Sequence, residues 1–294
     1  MSPCAPLTLQ HPLSPELAGA LMALAARLDG RRWFLIGAGA RDLLLAECPH
    51  ARQPLRRTRD LDLAVAVSGW DEYAGLRARL LRDDRFAGTG QPQRLLFQQH
   101  LPVDLVPWGH QDANGSIAWP PDFAVRMSVI GYDEAYAAAL PVVAGALSFR
   151  CITLPGLSVL KLLSWAGSGG RRAKDATDFA LLLGTQADVL GEAMYDRHAD
   201  LFEAADFDWE EAGARALGRT AAGLFAAGTL TRVRAILERQ ARALALAMTG
   251  PDGPLMPAAA GPDERLDCAR RLLQAYADGI TDALPHIDPA HGRT

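Results

Sequence analysis

Lysine is almost absent from this chain. Among its 30 basic residues only Lys161 and Lys174 are lysines, and all the others are arginines. Such a bias is typical of a GC-rich genome, in which arginine is used wherever any positive charge is sufficient. Because a compact ammonium and a planar guanidinium bind phosphate differently, the two remaining lysines are candidates for a specific role. Chance retention is the alternative.

Cysteine is scarce too, and the sequence has no recognisable leader or membrane segment. The four cysteines are scattered without metal-type spacing, as Cys4, Cys48, Cys151 and Cys268. This distribution fits a reducing cytoplasm better than a disulfide framework. The N-terminus lacks the basic and apolar regions of a signal peptide, and no uncharged apolar run is long enough to cross a bilayer. We therefore expect a cytoplasmic protein that does not associate with membranes.

Neither charge nor repetition identifies a function. The formal net charge is −4, so no overall positive field indicates nucleic acid binding, and we find no internal repeat. The chain has 294 residues, of which 49% are hydrophobic. This is enough for a substantial core in one large domain or two modest ones.

The segment from Arg57 to Val67 alternates in the manner of a strand with two faces. Its odd positions are apolar from Leu61 onward, whereas Asp60, Asp62 and small residues occupy the even positions. A period of two predicts a strand whose carboxylates lie on the face opposite the core. Neighbouring carboxylates repel each other, and a divalent cation converts this repulsion into coordination. The alternative is a solvated strand end with two unrelated acids.

A phosphate-binding turn is predicted just upstream. Residues 33–36 form a short apolar strand that leads through Gly37 and Ala38 into a helix predicted at about 40–47. Free backbone N–H groups at such a helix start favour phosphate oxygens, and the alternative is a plain turn. Arg41 is a candidate for nucleotide binding, and the alternative is an ion pair with Asp42 or Asp60.

A third carboxylate and an arginine-rich loop complete the candidate site. Asp104 lies in a second apolar strand, which forms a predicted hairpin with residues 94–98. The hydroxyl of Thr58 is placed to contact either a phosphate or the Asp60 carboxylate. The loop of residues 48–59 suits polyphosphate or an RNA backbone, or is simply solvated, and its arginines are Arg52, Arg56, Arg57 and Arg59.

The rest of the chain is predicted to be helical. A helix that starts near Thr153 carries Lys161 away from its apolar stripe, and Gly167 to Gly170 break it. Lys174 and Asp178 follow one helical turn apart, which alone indicates no more than a surface ion pair. Further helices are predicted at residues 186–204, 209–226, 230–249 and 263–282, with a linker at about 250–262 before the last one.

The strand, glycine turn, Asp60-Leu61-Asp62 and Asp104 together resemble the nucleotidyltransferase superfamily. Its mark is a hydrophobic residue, Gly and Gly or Ser, followed by two acids one residue apart and a third carboxylate. The stretch around Arg41 is also similar to one in tRNA CCA-adding enzymes and bacterial poly(A) polymerases, with Ala38 in place of the usual second Gly or Ser.

The distal lysines resemble a more particular branch of that superfamily. Lys161, the helix break and Lys174-Asp175-x-x-Asp178 are similar to the distal motif of the AbiEii/AbiGii nucleotidyltransferase toxins. The resemblance covers roughly residues 30–185. It implies an α/β (α+β) fold with a nucleotidyltransferase core and mixed sheet in residues 1–152. An α-helical region carrying the lysine motif would then occupy residues 153–294.

The resemblance further implies an enzyme that transfers a nucleoside monophosphate from an NTP to an acceptor, such as an RNA or a tRNA 3′ end. Two Mg²⁺ ions, or Mn²⁺ in their place, would be held by Asp60, Asp62 and Asp104, and Asp104 would receive the acceptor proton or hold the second ion. The nucleotide would contact Gly37, Ala38, Arg41, Thr58, Lys161, Lys174, Asp175 and Asp178.

The biological role implied is that of the toxin in a toxin–antitoxin pair, with a cognate antitoxin protein as partner. Two alternatives stay open. One is another nucleotidyltransferase, which acts on a small molecule of the aminoglycoside type or in tRNA maintenance. The other is a non-catalytic nucleotide-binding module on the same fold, since fold analogy alone does not establish activity.

Overall fold

A computed structural model describes residues 5–28, 30–48, 50–54, 58, 60–203, 205–250 and 261–283. Within these ranges a mixed sheet is followed by helices, which confirms the predicted α/β class and the helical C-terminal region. Three arginines of the predicted phosphate-binding loop lie outside the described residues, namely Arg56, Arg57 and Arg59. Most of the predicted linker also lies outside them. None of the described helices is long and apolar enough to span a membrane.

The described residues form ten strands and ten helices. The strands are β1 Leu7–Thr8, β2 Trp33–Ile36, β3 Leu61–Ala66, β4 Phe86–Gly88, β5 Arg94–Phe97, β6 Leu101–Trp108, β7 Ser116–Ala118, β8 Arg126–Ser128, β9 Leu140–Ala144 and β10 Leu147–Cys151. The helices are α1 Pro15–Arg27, α2 Gly37–Ala46, α3 Trp70–Leu80, α4 Tyr132–Ala137, α5 Leu154–Gly167, α6 Ala173–Leu190, α7 Ala193–Arg197, α8 Trp209–Leu224, α9 Ala227–Met248 and α10 Pro262–Asp282.

The main sheet has eight strands in the order β1-β9-β10-β2-β3-β6-β5-β4, and β7 pairs with β8 separately. The central strand β3 runs antiparallel to β2 and parallel to β6. The predicted hairpin is confirmed, because β5 and β6 pair antiparallel. Its register places Arg94 opposite Asp104, and Asp104 is in turn opposite Asp62 on β3. Since residues in register on adjacent strands share a face, these three side chains form one row.

Strand β2 passes into α2 without a loop, and Gly37 makes this turn. Its φ is +72°, in the left-handed region that favours glycine. A Cβ at this position would overlap the carboxylate of Asp62. Glycine is therefore required at position 37 both by the backbone and by the acid beside it.

The helical region continues the same core. Thr153 caps α5, because its hydroxyl oxygen accepts a hydrogen bond of 3.0 Å from the N–H of Gly156. One cluster of buried apolar side chains runs from α1 and the sheet through to α10. The predicted domain boundary at residue 152 falls in the connection between β10 and α5, and the division into two domains stays a prediction.

The prediction of one helix at residues 186–204 is wrong. Helix α6 continues as far as Leu190, and Gly191 follows it with a φ of +51°. The chain then forms the short α7 and a 3₁₀ turn at Ala199–Glu203. Apolar spacing persists across Gly191, so the sequence pattern alone does not reveal the interruption.

Helices α8 and α10 cross with their backbones in close contact. A Cβ at Gly279 would overlap the backbone carbonyl of Arg215, and a Cβ at Gly218 would overlap that of Tyr276. By contrast, Gly75 lies within α3 with no atom near the place of a Cβ. An added methyl group therefore overlaps a neighbouring helix at Gly218 and Gly279, whereas at Gly75 there is free space for it.

We expect Gly279→Ala to lower the free energy of unfolding by about 3 kcal/mol, because the helices must separate to admit the methyl group. The matched control Gly75→Ala should raise it by about 0.5–1 kcal/mol through helix propensity. Urea unfolding of both variants measures the difference. Equal and small effects at both positions would contradict the close helix crossing.

Candidate active site

Two of the three predicted acids lie side by side on neighbouring strands of the sheet. Asp62 on β3 and Asp104 on β6 are in register on parallel neighbouring strands. Asp60 directly precedes β3, and its side chain is 40% exposed, compared with 16% for Asp104. Asp62 and Asp104 also line a cavity of about 560 Å³. Two of the predicted acids, Asp62 and Asp104, are therefore paired on the cavity wall, and Asp60 lies beside them.

The other walls of this cavity are chemically different from the acidic one. Arg171 and Arg172, in the connection between α5 and α6, form a basic wall with Arg126. An apolar wall consists of Trp119, Pro120, Val125 and Met127. The ring of Trp119 also packs on Trp70, with 5.2 Å between the ring centroids. One cavity thus offers acidic, basic and apolar surfaces to a ligand.

The acidic wall is electrostatically strained. Burial, together with the nearby carboxylates of Asp60 and Asp104, raises the pKa of Asp62 to about 7. Lys161 and Arg94 act in the opposite direction but do not cancel these effects. At neutral pH this wall therefore favours a bound proton or cation.

Arg94 supplies a cation at this point, and the sequence reasoning missed it. Its Nε lies 2.7 Å from Asp104 Oδ1 and its Nη2 lies 2.6 Å from Asp104 Oδ2. The same Nη2 is 3.5 Å from Asp60 Oδ2. The predicted strand of residues 94–98 would have paired Gln98 with Leu101 and placed Leu95 opposite Asp104. The observed pairing of Phe97 with Leu101 brings Arg94 there instead.

Thr58 contacts two acids. Its hydroxyl donates a hydrogen bond to Asp60 Oδ1, and its backbone N–H donates one of 3.0 Å to Asp42 Oδ2. Of the two partners proposed for the Thr58 hydroxyl, the Asp60 carboxylate is the one that it contacts. Thr58 thereby orients Asp60 at the start of β3.

Arg41 is buried in ion pairs, with an exposed fraction of 4%. Its Nη2 lies 2.6 Å from Asp42 Oδ1, and its Nη1 binds Asp178 on α6. The alternative proposed for Arg41, a pair with Asp42, is therefore confirmed. Gly37 and Ala38 occupy the first turn of the same helix, and Gly37 adjoins Asp62.

Lys161 is held between two carboxylates. Its Nζ lies 2.9 Å from Asp175 Oδ1 and 2.5 Å from Asp178 Oδ2. Asp175 also accepts a hydrogen bond of 2.8 Å from the hydroxyl of Ser164. Burial disfavours the charged lysine, but Asp175 and Asp178 outweigh this effect and raise its pKa. Lys161 therefore neutralises buried acids and is not among the residues that line the cavity.

Lys174 is in a different position. It is exposed, and within the described part of the chain it forms no ion pair. The alternative interpretation, a surface pair of Lys174 with Asp178, is wrong because the helical turn directs Asp178 toward Lys161 and Arg41. The two lysines of the chain therefore do not act together.

Five of the eight predicted nucleotide-binding residues belong to a polar network and not to the cavity wall, namely Arg41, Thr58, Lys161, Asp175 and Asp178. Successive hydrogen bonds and ion pairs connect the sheet to α5 and α6 through Asp60, Thr58, Asp42, Arg41, Asp178, Lys161 and Asp175. The network begins at an acid beside the cavity and ends near the basic wall. It fixes the helical region against the start of β3.

The donor set fits a divalent cation chemically. Carboxylate oxygens are the ligands that Mg²⁺ and Mn²⁺ prefer, and the pKa of Asp62 is raised by its burial and by the neighbouring carboxylates of Asp60 and Asp104. Among the residues that the structure describes, no three His, Cys, Asp or Glu side chains converge as a ready metal cluster. Asp60 contacts Thr58, and it shares the Nη2 of Arg94 with Asp104.

Comparison with protein-family models, curated proteins and solved structures found no match for this chain. The family assignment therefore depends on the residues and geometry described above, and it stays a prediction.

We expect Lys161→Met to lower the free energy of unfolding by about 3 kcal/mol, because it removes the buried cation that Asp175 and Asp178 share. Arg172 and Arg41 then each remain paired with one of these two acids. The matched control Lys174→Met changes the same residue type at an exposed position and should have an effect within about 0.5 kcal/mol. Chemical denaturation at pH 7 measures both. Equal midpoints for the two variants would contradict the buried role of Lys161.

Proposed function

We propose that this protein is a metal-dependent nucleotidyltransferase that transfers a nucleoside monophosphate from an NTP to a hydroxyl of an acceptor and releases pyrophosphate, with an RNA such as a tRNA 3′ end as the acceptor. The observation that carries this proposal is the pair of carboxylates, Asp62 and Asp104, in register on parallel strands and on the wall of one cavity. The glycine turn that adjoins Asp62 supports it.

The walls of the cavity suit the parts of an NTP. Arg171 and Arg172 offer guanidinium groups to the triphosphate, since guanidinium matches phosphate oxygens in pairs. Trp119 and Met127 offer an apolar surface to the base. The volume of about 560 Å³ lies in the range of small-molecule sites, which is about 300–1,000 Å³. In this proposal the arginines replace Lys161 and Lys174 as the groups that bind phosphate.

The acids would hold the metal and organise the acceptor. Asp60, Asp62 and Asp104 would be the protein ligands, and bound Mg²⁺ would screen the triphosphate and lower the pKa of the acceptor hydroxyl. Asp104 is proposed to accept the proton of that hydroxyl. The network from Thr58 to Asp175 would keep the acids and the basic wall at a fixed separation, which favours an in-line arrangement of the reacting groups.

One observation favours the non-catalytic alternative. Arg94 already neutralises Asp104 and reaches Asp60, so the acids have a partner that belongs to the fold. A module that only binds a nucleotide would need no other cation. The transfer assay separates the two functions, because only an enzyme forms a labelled product.

We expect purified protein with Mg²⁺, labelled NTPs and total tRNA to incorporate label from at least one NTP. Asp62→Asn and Asp104→Asn should each reduce this rate at least about 100-fold, because a lost metal ligand removes several kcal/mol of transition-state stabilisation. Asp71→Asn, at an exposed position on α3, is the control and should keep full activity. Nucleotide binding without transfer in the wild type would favour the non-catalytic module.

The proposed biological role is that of a toxin with a cognate antitoxin. Its support is the likeness of Lys161 and Lys174-Asp175-x-x-Asp178 to the distal motif of the AbiEii/AbiGii toxins. Induced expression in a bacterial host without the antitoxin should slow growth, and Asp62→Asn at the same protein level should restore it. Equal growth with both proteins would contradict the toxin role while leaving the transfer chemistry to be judged by the assay.

A further inference from the structure

The position of Arg94 is determined by the sheet itself. Strand register places it directly opposite Asp104, which is opposite Asp62. Its guanidinium contacts both oxygens of Asp104, at 2.7 and 2.6 Å, and reaches Asp60 at 3.5 Å. The only cation in this row of three side chains therefore lies on the oxygens that a metal ion would need.

The surroundings of Arg94 allow its guanidinium to leave these oxygens. Its side chain is 31% exposed, so the displaced group can be solvated. The preceding residues Gly90 to Gln93 line the cavity, which places Arg94 beside open space. A pairing that served only the β5–β6 hairpin would need one carboxylate, whereas Arg94 also reaches Asp60 on a different segment.

We propose that Arg94 is a built-in counter-ion that competes with a divalent cation for Asp104 and Asp60, and that this competition sets the cation concentration at which the site is loaded. The inference rests on the proposed metal-dependent function. Bidentate pairs between arginine and carboxylate are among the stronger charge-assisted hydrogen bonds, so displacement of Arg94 subtracts from the affinity of the site for the cation. Removal of the guanidinium should leave the acids in place and make cation binding tighter.

The experiment is a calorimetric titration of the purified protein with Mn²⁺, with no nucleotide present. Arg94→Gln should bind Mn²⁺ about tenfold more tightly than the wild type, because the competing charge is gone. The control is Arg85→Gln, which also removes a guanidinium from a bidentate pair, here with Asp83 outside the cavity. This control changes net charge equally and should leave the affinity unchanged.

Unchanged Mn²⁺ affinity in folded Arg94→Gln, or equal tightening in Arg85→Gln, would overturn the inference. Should Arg94→Gln fail to fold, Arg94→Lys is the second variant. Its ammonium cannot form the bidentate pair, so we expect about threefold tighter binding, and affinity equal to the wild type would count against the proposal.

The titration also separates this inference from the proposed function. Tighter Mn²⁺ binding by Arg94→Gln, combined with no nucleotide transfer by the wild type, would support the counter-ion and reject the enzyme. Nucleotide transfer by the wild type, combined with unchanged Mn²⁺ affinity in Arg94→Gln, would support the enzyme and reject the counter-ion. No Mn²⁺ binding by any of the proteins would reject both.

Discussion

Two carboxylates on adjacent parallel strands impose the main constraint on this molecule. Asp62 and Asp104 are fixed in register by the backbone, so the sheet cannot move them apart to relieve their repulsion. Burial is the main cause of the raised pKa of Asp62, and the charges of Asp60 and Asp104 add to it. Arg94 offsets it from the neighbouring strand, and Lys161 offsets it from α5. Arg94 and Lys161 thus lower the electrostatic cost of holding these two acids side by side.

The sequence predicted the elements that carry the acids because their signals are local. A few neighbouring residues determine the alternation of β3 and the hairpin of β5 and β6. The same is true of the helix cap at Thr153. The partners of Arg41 and Lys161 were harder to predict, because Asp178 is distant in the chain from Arg41 and reaches it only through the packing of α6. No periodicity in the sequence predicts this contact between Arg41 and Asp178.

The scarcity of lysine led to a prediction for Lys161 that was incomplete. The near-absence of lysine indicated that Lys161 needs a compact ammonium, and its position between Asp175 and Asp178 agrees with that need. The sequence could not tell a phosphate from a pair of buried carboxylates, since both attract the same group. Arg171 and Arg172 were missed because the sequence showed only a helix break before them, and their place on the cavity wall follows from the tertiary fold.

The contact between Gly37 and Asp62 also has an evolutionary consequence. The carboxylate occupies the space in which any other side chain at position 37 would begin, although the backbone alone would still disfavour most replacements. A lineage that abandoned the chemistry of the acids could replace Asp62 by a smaller residue and thereby relax the steric part of the selection on Gly37. Among descendants of this chain, a side chain at position 37 would thus be a marker of a site that has been lost.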